Sequence, residues 1–169
     1  MAAVKYLPLV LVAAALGATV FAGGSGYAWY SASNDPALTY GTARDDALSS
    51  GRTLVTELSS LDYHDVDGGL GRWLAASTGP LHDQLAHTDD TTKKTLAANA
   101  TVATGRVLDA ALSELDEHAG TAKLLASVEI TMAKQGTAPA VKRNRFAAAL
   151  TRTPDGWKLS ALDQLPVGA

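Results

Sequence analysis

The sequence predicts an α+β protein, with one N-terminal transmembrane helix followed by about three helices packed on a four-stranded antiparallel sheet. Three observations lead to this prediction. The chain has 169 residues, enough for one membrane segment and one domain of ordinary size. Its N-terminal part is almost wholly apolar, whereas the remainder has mixed polarity. Within that remainder, apolar residues first recur at helical spacing and later alternate as in strands.

The segment from Tyr6 to Trp29 contains no charged side chain. A helix of about 24 residues rises about 36 Å and can cross a hydrocarbon layer of about 30 Å. Lys5 precedes the segment, and Trp29 and Tyr30 end it with rings that favour the headgroup layer. The positive-inside rule then predicts a single-pass protein of the cell membrane, with a cytoplasmic N-terminus and an extracytoplasmic C-terminal domain.

A cleaved signal peptide is the alternative interpretation of this segment. Val20-Phe21-Ala22 has the small-x-small pattern of a cleavage site, and a glycine-rich stretch follows it. The apolar run is nevertheless long for a signal peptide, and aromatic residues resume after the glycines, which favours a retained anchor. We therefore assign residues 1–33 to a cytoplasmic stub and transmembrane anchor, and residues 34–169 to the extracytoplasmic domain.

The first helix of the domain is predicted to begin after Asp35, which can cap it, with Pro36 at its first position. It extends to Leu61. Apolar residues at three- and four-residue steps form one side of this helix: Ala47, Leu48, Gly51, Leu54, Val55 and Leu58.

Two more helices are predicted after a polar interruption. Asp67 can cap the second, which ends at Ala76, where Thr78-Gly79-Pro80 follows. The third runs from about Pro80 to Ala97 and has a weak centre at Thr88–Thr92.

After Asn99 the apolar period changes to two residues, which indicates strands. Gly105 is expected at a bulge or bend of the first strand. The predicted inward residues of the four strands are, in order, Val102, Leu108, Ala110 and Leu112; Leu124, Ala126, Val128, Ile130 and Met132; Phe146, Ala148 and Leu150; Trp157, Leu159 and Ala161. Thr153-Pro154-Asp155-Gly156 has the composition of a tight turn, and such short connections imply an antiparallel meander.

Composition excludes several classes of function. The net charge of −3 argues against nucleic acid as a partner, because phosphate binding requires a basic surface. The chain has no Cys, which excludes disulfides, thiolate metal sites and cysteine nucleophiles. No phosphate-binding glycine loop and no Gly-x-Ser-x-Gly elbow is present.

Several segments together resemble the Mce-associated membrane proteins of actinobacteria, and the resemblance covers essentially the whole chain. The most specific part combines Leu61–Asp67 with Ala75–Leu81. The long helix carrying Ala43–Ala47, the strand with Arg143 and Arg145, and the ending Gly156–Leu159 complete it.

This resemblance implies an NTF2-like domain, similar to the periplasmic domain of VirB8-type secretion proteins. It also implies a non-catalytic accessory or scaffold role in an Mce-type lipid or sterol import system. The expected partners are Mce transporter subunits or other envelope proteins, and membrane lipid. A homo-oligomer is also possible within this interpretation.

No catalytic, cofactor-binding or metal-binding residue is predicted. His82 and His87 lie five residues apart, which on one helix directs them about 140° from each other. The densest polar group, Asp62, His64, Asp65 and Asp67, is explained by helix capping rather than by acid–base chemistry.

Two features leave alternatives open. Lys142, Arg143 and Arg145 form a basic run that suits anionic headgroups or an acidic partner, or else a solvated strand face. A curved sheet can also enclose an apolar cavity, which makes a lipid carrier the alternative to a scaffold, beside a VirB8-like secretion-channel component. The candidate lining residues are Val128, Ile130, Phe146 and Leu150.

Overall fold

The structure is a computed structural model that describes residues 36–166. The chain divides into two compact units, 1–42 and 43–169, and the contacts analysed below lie within the second. The predicted anchor and the capping residue Asp35 lie outside the described residues. Among the helices of residues 36–166, none is long and apolar enough to span a membrane.

Residues 36–166 form four α-helices and five strands. In chain order these are α1 (Pro36–Leu58), β1 (Leu61–Asp62), α2 (Val66–Ala76), α3 (Gly79–Ala86), α4 (Asp90–Ala98), β2 (Thr101–Asp116), β3 (Thr121–Lys134), β4 (Ala140–Thr153) and β5 (Gly156–Leu165). A 3-10 turn, Tyr63–Asp65, connects β1 to α2. The strands form one antiparallel sheet in the order β1-β2-β3-β4-β5, so the part of the prediction that concerned a meander agrees with the structure.

The predicted fold, a transmembrane helix and about three helices on four strands, is therefore wrong in its counts and is not supported in its N-terminal helix. The additional strand β1 pairs Leu61 with Ala103 and Asp62 with Val102. A strand of two residues is too short to show alternation in a sequence.

The additional helix arises because the predicted third helix is two helices. Residues His87–Asp89 lie outside any helix and separate α3 from α4. Asp89 caps α4, since its Oδ1 accepts a hydrogen bond of 2.7 Å from the backbone N of Thr92. The break falls at the weak centre seen in the sequence.

Helix α1 packs closely on the sheet through the predicted apolar side. Ala47 and Val55 are fully buried. A Cβ at Gly51 would lie 3.0 Å from Cδ1 of Leu150 and 3.1 Å from Cδ2 of Leu124, so this glycine permits the approach. The buried core joins α1 to strands β3, β4 and β5: Ala47, Val55, Ala122, Leu124, Ala126, Val128, Ala148, Leu150, Trp157 and Leu159.

The strand β2 contains two bulges that the sequence did not reveal. Its register against β3 shifts between Val107 and Asp109 and again between Leu112 and Glu114. The first shift leaves Leu108, a predicted inward residue, 37% exposed, and the residues packed on the core are Val107, Ala110, Leu112 and Leu115.

Gly105 was predicted to lie at a bulge or bend, but the structure has no bulge at this residue. It pairs regularly with Ile130, and a Cβ there would collide with Ser59 at the end of α1. The glycine therefore allows the chain leaving α1 to cross β2 closely. In β5, a register shift also places Leu162 rather than Ala161 against the core.

Candidate functional site

One face of the sheet is packed against the core and the opposite face is exposed. On β3 the buried residues alternate with Lys123, Leu125, Ser127 and Glu129. Pairing with β2 and β4 extends each of these positions into a row across the sheet. We call this surface the open face; its central residues are Arg106, Asp109, Ala111, Lys123, Leu125, Ser127, Glu129, Arg143, Arg145, Ala147 and Ala149.

The first row of the open face is a charge cluster in which two guanidinium groups share one carboxylate. Glu129 Oε1 accepts a hydrogen bond of 2.8 Å from Nη2 of Arg106, and its Oε2 lies 3.1 Å from Nε and Nη2 of Arg143. The Glu129 side chain is 16% exposed beneath two well-exposed guanidinium groups. The hydrogen bonds from Arg106 and then Arg143 lower the pKa of Glu129.

The second row places opposite charges on the two strands that flank β3. Ser127 pairs with Asp109 on one side and with Arg145 on the other. Asp109 Oδ1 accepts a hydrogen bond of 2.9 Å from the backbone N of Ala110, whereas Arg145 has no side-chain hydrogen bond or ion pair among the described residues. Both residues line a depression of about 410 Å³ beside Leu125.

The third row is apolar and is built from small side chains. Leu125 is 47% exposed and pairs with Ala111 and Ala147. Beyond it, Lys123 Nζ lies 2.9 Å from Oε2 of Glu114, beside a second depression of about 430 Å³. Because alanines surround Leu125, another surface can approach the strands closely here.

The predicted basic run is divided between the two faces of β4. Arg143 and Arg145 lie on the open face, whereas Lys142 pairs with Ile130 on the opposite side of the strand. Arg143 is committed to Glu129, so only Arg145 offers an unpaired guanidinium on the open face. The run is therefore not one continuous basic patch.

The polar segment between α1 and α2 performs capping, but Asp65 takes the role that was assigned to Asp67. Asp65 Oδ1 accepts a hydrogen bond of 3.0 Å from the backbone N of Gly68. Asp62 Oδ1 accepts from the backbone N of His64 at 2.9 Å and lies 2.7 Å from its Nδ1. These bonds, led by the backbone one, lower the pKa of Asp62.

Asp67 forms an ion pair instead of a cap, and the histidines belong to no metal-binding group within residues 36–166. Asp67 forms a 3.0 Å ion pair with Lys93, and this pair raises the pKa of Lys93. Within residues 36–166, no group of three or more His, Asp or Glu residues is arranged to hold a metal ion.

The four candidate cavity residues belong to the packed interior. Val128 and Leu150 are fully buried in the core, and Ile130 and Phe146 pack against it. Phe146 and Leu150 also border the depressions of about 410 and 430 Å³ described above. Packing of all four side chains in or against the core gives the lipid-carrier hypothesis no support from the interior. The open face was missed by sequence reasoning, because its alanines alternate with other small apolar residues and give no contrast between faces.

Comparison with known proteins shows which solved structures have a similar fold. No protein-family model and no curated protein matches the sequence. Among solved structures, an IcmL-like type IV secretion system protein from Legionella pneumophila matches with a TM-score of 0.61 and 11% identity, covering 75% of this chain and 94% of that one. The periplasmic domain of DotI matches at 0.58 and 12%, covering 71% and 93%. CagV, a VirB8 homolog of the type IV secretion system of Helicobacter pylori, matches at 0.54 and 8%, covering 71% and 96%.

These likenesses define the class of fold. The described domain has the VirB8-like, NTF2-like fold, and the predicted similarity to VirB8-type domains is confirmed at the level of the fold. At 8–12% identity the matches show the fold alone. Membership of the Mce-associated family is not shown by any of them.

Proposed function

We propose that this chain is a non-catalytic assembly component of a cell-envelope transport complex, built like a VirB8-type secretion-channel component. The observation that carries the proposal is the fold match, which spans more than 90% of each of three secretion-system domains. The DotI structure is described as a periplasmic domain, which supports an extracytoplasmic position for the domain here. Fold alone does not determine function, so an independent test is required.

The surface of the domain suits a binding role. The open face presents Leu125 among alanines, with both signs of charge around it. Protein interfaces commonly combine an apolar centre with a polar rim. In this proposal the apolar segment 6–29 tethers the chain, so that the domain meets its partners at the membrane surface.

An accessory role in an Mce-type import system is the second candidate. The segments Leu61–Asp67 and Ala75–Leu81 favour it through their resemblance to Mce-associated proteins. Both candidates assign the same work to the domain, which is to hold other envelope proteins together. They differ in which transporter is assembled.

Cross-linking in the native membrane, followed by recovery of the tagged full-length chain and mass spectrometry, tests the proposal. Recovery of secretion-channel subunits supports the first candidate, and recovery of Mce subunits or their permease supports the second. Recovery of the chain without any other envelope protein, in repeated preparations, contradicts both. A tagged unrelated single-pass protein expressed at the same level provides the control for proximity in the membrane.

A further inference from the structure

We propose that the open face is a self-docking surface, through which two copies of this chain pack sheet against sheet in an isologous dimer. This inference goes beyond the assembly role proposed above and does not depend on it. It assigns a particular surface to the possible homo-oligomer, and it rests on how charge and apolar area are distributed across three strands.

The first observation is that the open face has an exposed apolar centre. Leu125 lies near the middle of β3 and is 47% exposed, and its neighbours on the adjoining strands are Ala111 and Ala147. Because Leu125 is exposed on the open face, it does not contribute to the core of its own domain. Two sheets pack at about 10 Å when small and large side chains interdigitate between them. The depression of about 410 Å³ beside Leu125 leaves room for two facing Leu125 side chains to lie past each other.

The second observation is that charge on this face is complementary to itself. Strands β2 and β4 flank β3 on opposite sides. A two-fold axis along β3, lying between two facing sheets, therefore places β2 of one copy over β4 of the other. Asp109 and Arg145 occupy the same row on these two strands, on either side of Ser127. The axis brings Asp109 of each copy against Arg145 of the other and forms two identical ion pairs.

The third observation concerns the other charges of the open face. Lys123 is paired with Glu114 at 2.9 Å in its own chain. The row of Arg106, Glu129 and Arg143 carries one net positive charge and would repel its copy. That row lies about 7 Å farther along the strands from Ser127. Facing sheets cross at about 30°, so their rows separate away from the contact centre.

A second copy is a better occupant than an unrelated acidic or basic protein. A partner of one sign would satisfy either Asp109 or Arg145 and would leave the other facing a like charge. A self-complementary pair satisfies both, and Arg145 has no partner within the described part of its own chain.

The test uses the full-length protein in a neutral detergent, with association measured by sedimentation over a range of protein concentrations. D109R and R145D each place like charges opposite each other at both pairs and should weaken self-association about tenfold or more. The double variant D109R/R145D should restore it. K142D is the matched control, since Lys142 lies on the same strand but on the opposite side, and it should leave association unchanged.

Mixing the two single variants distinguishes a loss of ion pairs between copies from a loss of folding. The arginine introduced by D109R faces the aspartate introduced by R145D, and the native Arg145 of the first copy faces the native Asp109 of the second. A tagged D109R chain should therefore retain an untagged R145D chain but not an untagged D109R chain. A variant that merely disturbed folding could not acquire a partner on mixing.

The apolar centre is tested by L125D, which should abolish association, with L38D at an exposed leucine of α1, which is not among the residues of the open face, as its control. The proposal is overturned if the full chain stays monomeric at every concentration. It is equally overturned if D109R and R145D associate like the unaltered chain, or if their mixture associates no better than either variant alone.

Discussion

The indole Nε1 of Trp157 donates a hydrogen bond of 3.1 Å to Oδ2 of Asp46, across 111 residues of sequence. The bond connects helix α1 to the start of β5, the first and last long elements of the described domain. Trp157 is otherwise buried in the core, with the guanidinium of Arg152 5.9 Å from its ring. The ends of the domain are therefore joined by a polar contact at the margin of the core.

Loss of this contact should be measurable. D46A removes the acceptor and leaves the indole N–H without its partner, which should lower the free energy of unfolding by about 1 kcal/mol. D46N keeps a side-chain oxygen and should retain most of the stability. Urea unfolding followed by tryptophan fluorescence measures both variants, and an equal loss in the two would contradict the role of the hydrogen bond.

Two helical glycines should respond oppositely to the same substitution. G51L places a large side chain against Leu124 and Leu150 and should destabilise the domain by about 1–3 kcal/mol through overpacking. At Gly71, an exposed position of α2, an added Cβ meets no described atom within 4 Å. G71L should therefore stabilise the domain by about 0.5–1 kcal/mol through helix propensity. Thermal unfolding compares them, and a destabilising G71L would contradict this account of the two positions.

Glu129 should titrate below the ordinary value of 4.5 for its carboxyl group, because hydrogen bonds from Arg106 and Arg143 lower its pKa. A carboxyl whose pKa is lowered in the folded state contributes stability above the unfolded pKa, and that contribution is lost as pH falls through the folded pKa. E129Q should therefore make the stability of the domain less dependent on acid pH.

Carboxyl NMR of Glu129 gives the direct measurement. In the control R106Q/R143Q its pKa should return towards the ordinary value, since the two hydrogen-bonding groups are removed. Titration of Glu129 at or above 4.5 in the unaltered chain would contradict the geometry of the cluster.

The break between α3 and α4 depends on the cap at Asp89. D89A removes the bond to Thr92 and should destabilise α4 by about 0.5–2 kcal/mol, whereas D89N should cap nearly as well. Amide hydrogen exchange across Asp90–Ala98 reports this local effect. Unchanged exchange in D89A would show that α4 does not need its cap.

The strongest periodic signals correctly identified two elements, strand β3 and helix α1, although the predicted fold as a whole was wrong in its counts. Strand β3 could be identified because Leu124, Ala126 and Val128 are buried while their neighbours are exposed, so burial and sequence alternate together. Helix α1 could be identified because Ala47, Gly51 and Val55 follow its spacing and contact the sheet.

The features that sequence reasoning missed have local causes. Strand β1 is only one period of alternation long, and a bulge leaves Leu108 exposed without changing the residues themselves. The open face could not be predicted because the pairing of Asp109, Ser127 and Arg145 depends on the register of three strands. The ion pairs of Glu129 depend on the same register.

The bulges of β2 have a consequence for the behaviour of the chain at high concentration. This strand has sixteen residues, yet β1 pairs with only Val102 and Ala103 on its outer side, so most of its outer edge has no strand beside it among residues 36–166. A long regular edge of this kind would be a template for uncontrolled addition of strands. The irregularities at Leu108 and Ser113 interrupt the even spacing of backbone donors and acceptors, so an incoming extended peptide cannot continue the ladder. The bulges thereby make the outer edge of β2 a poorer template for added strands, while the open face keeps its regular rows of side chains.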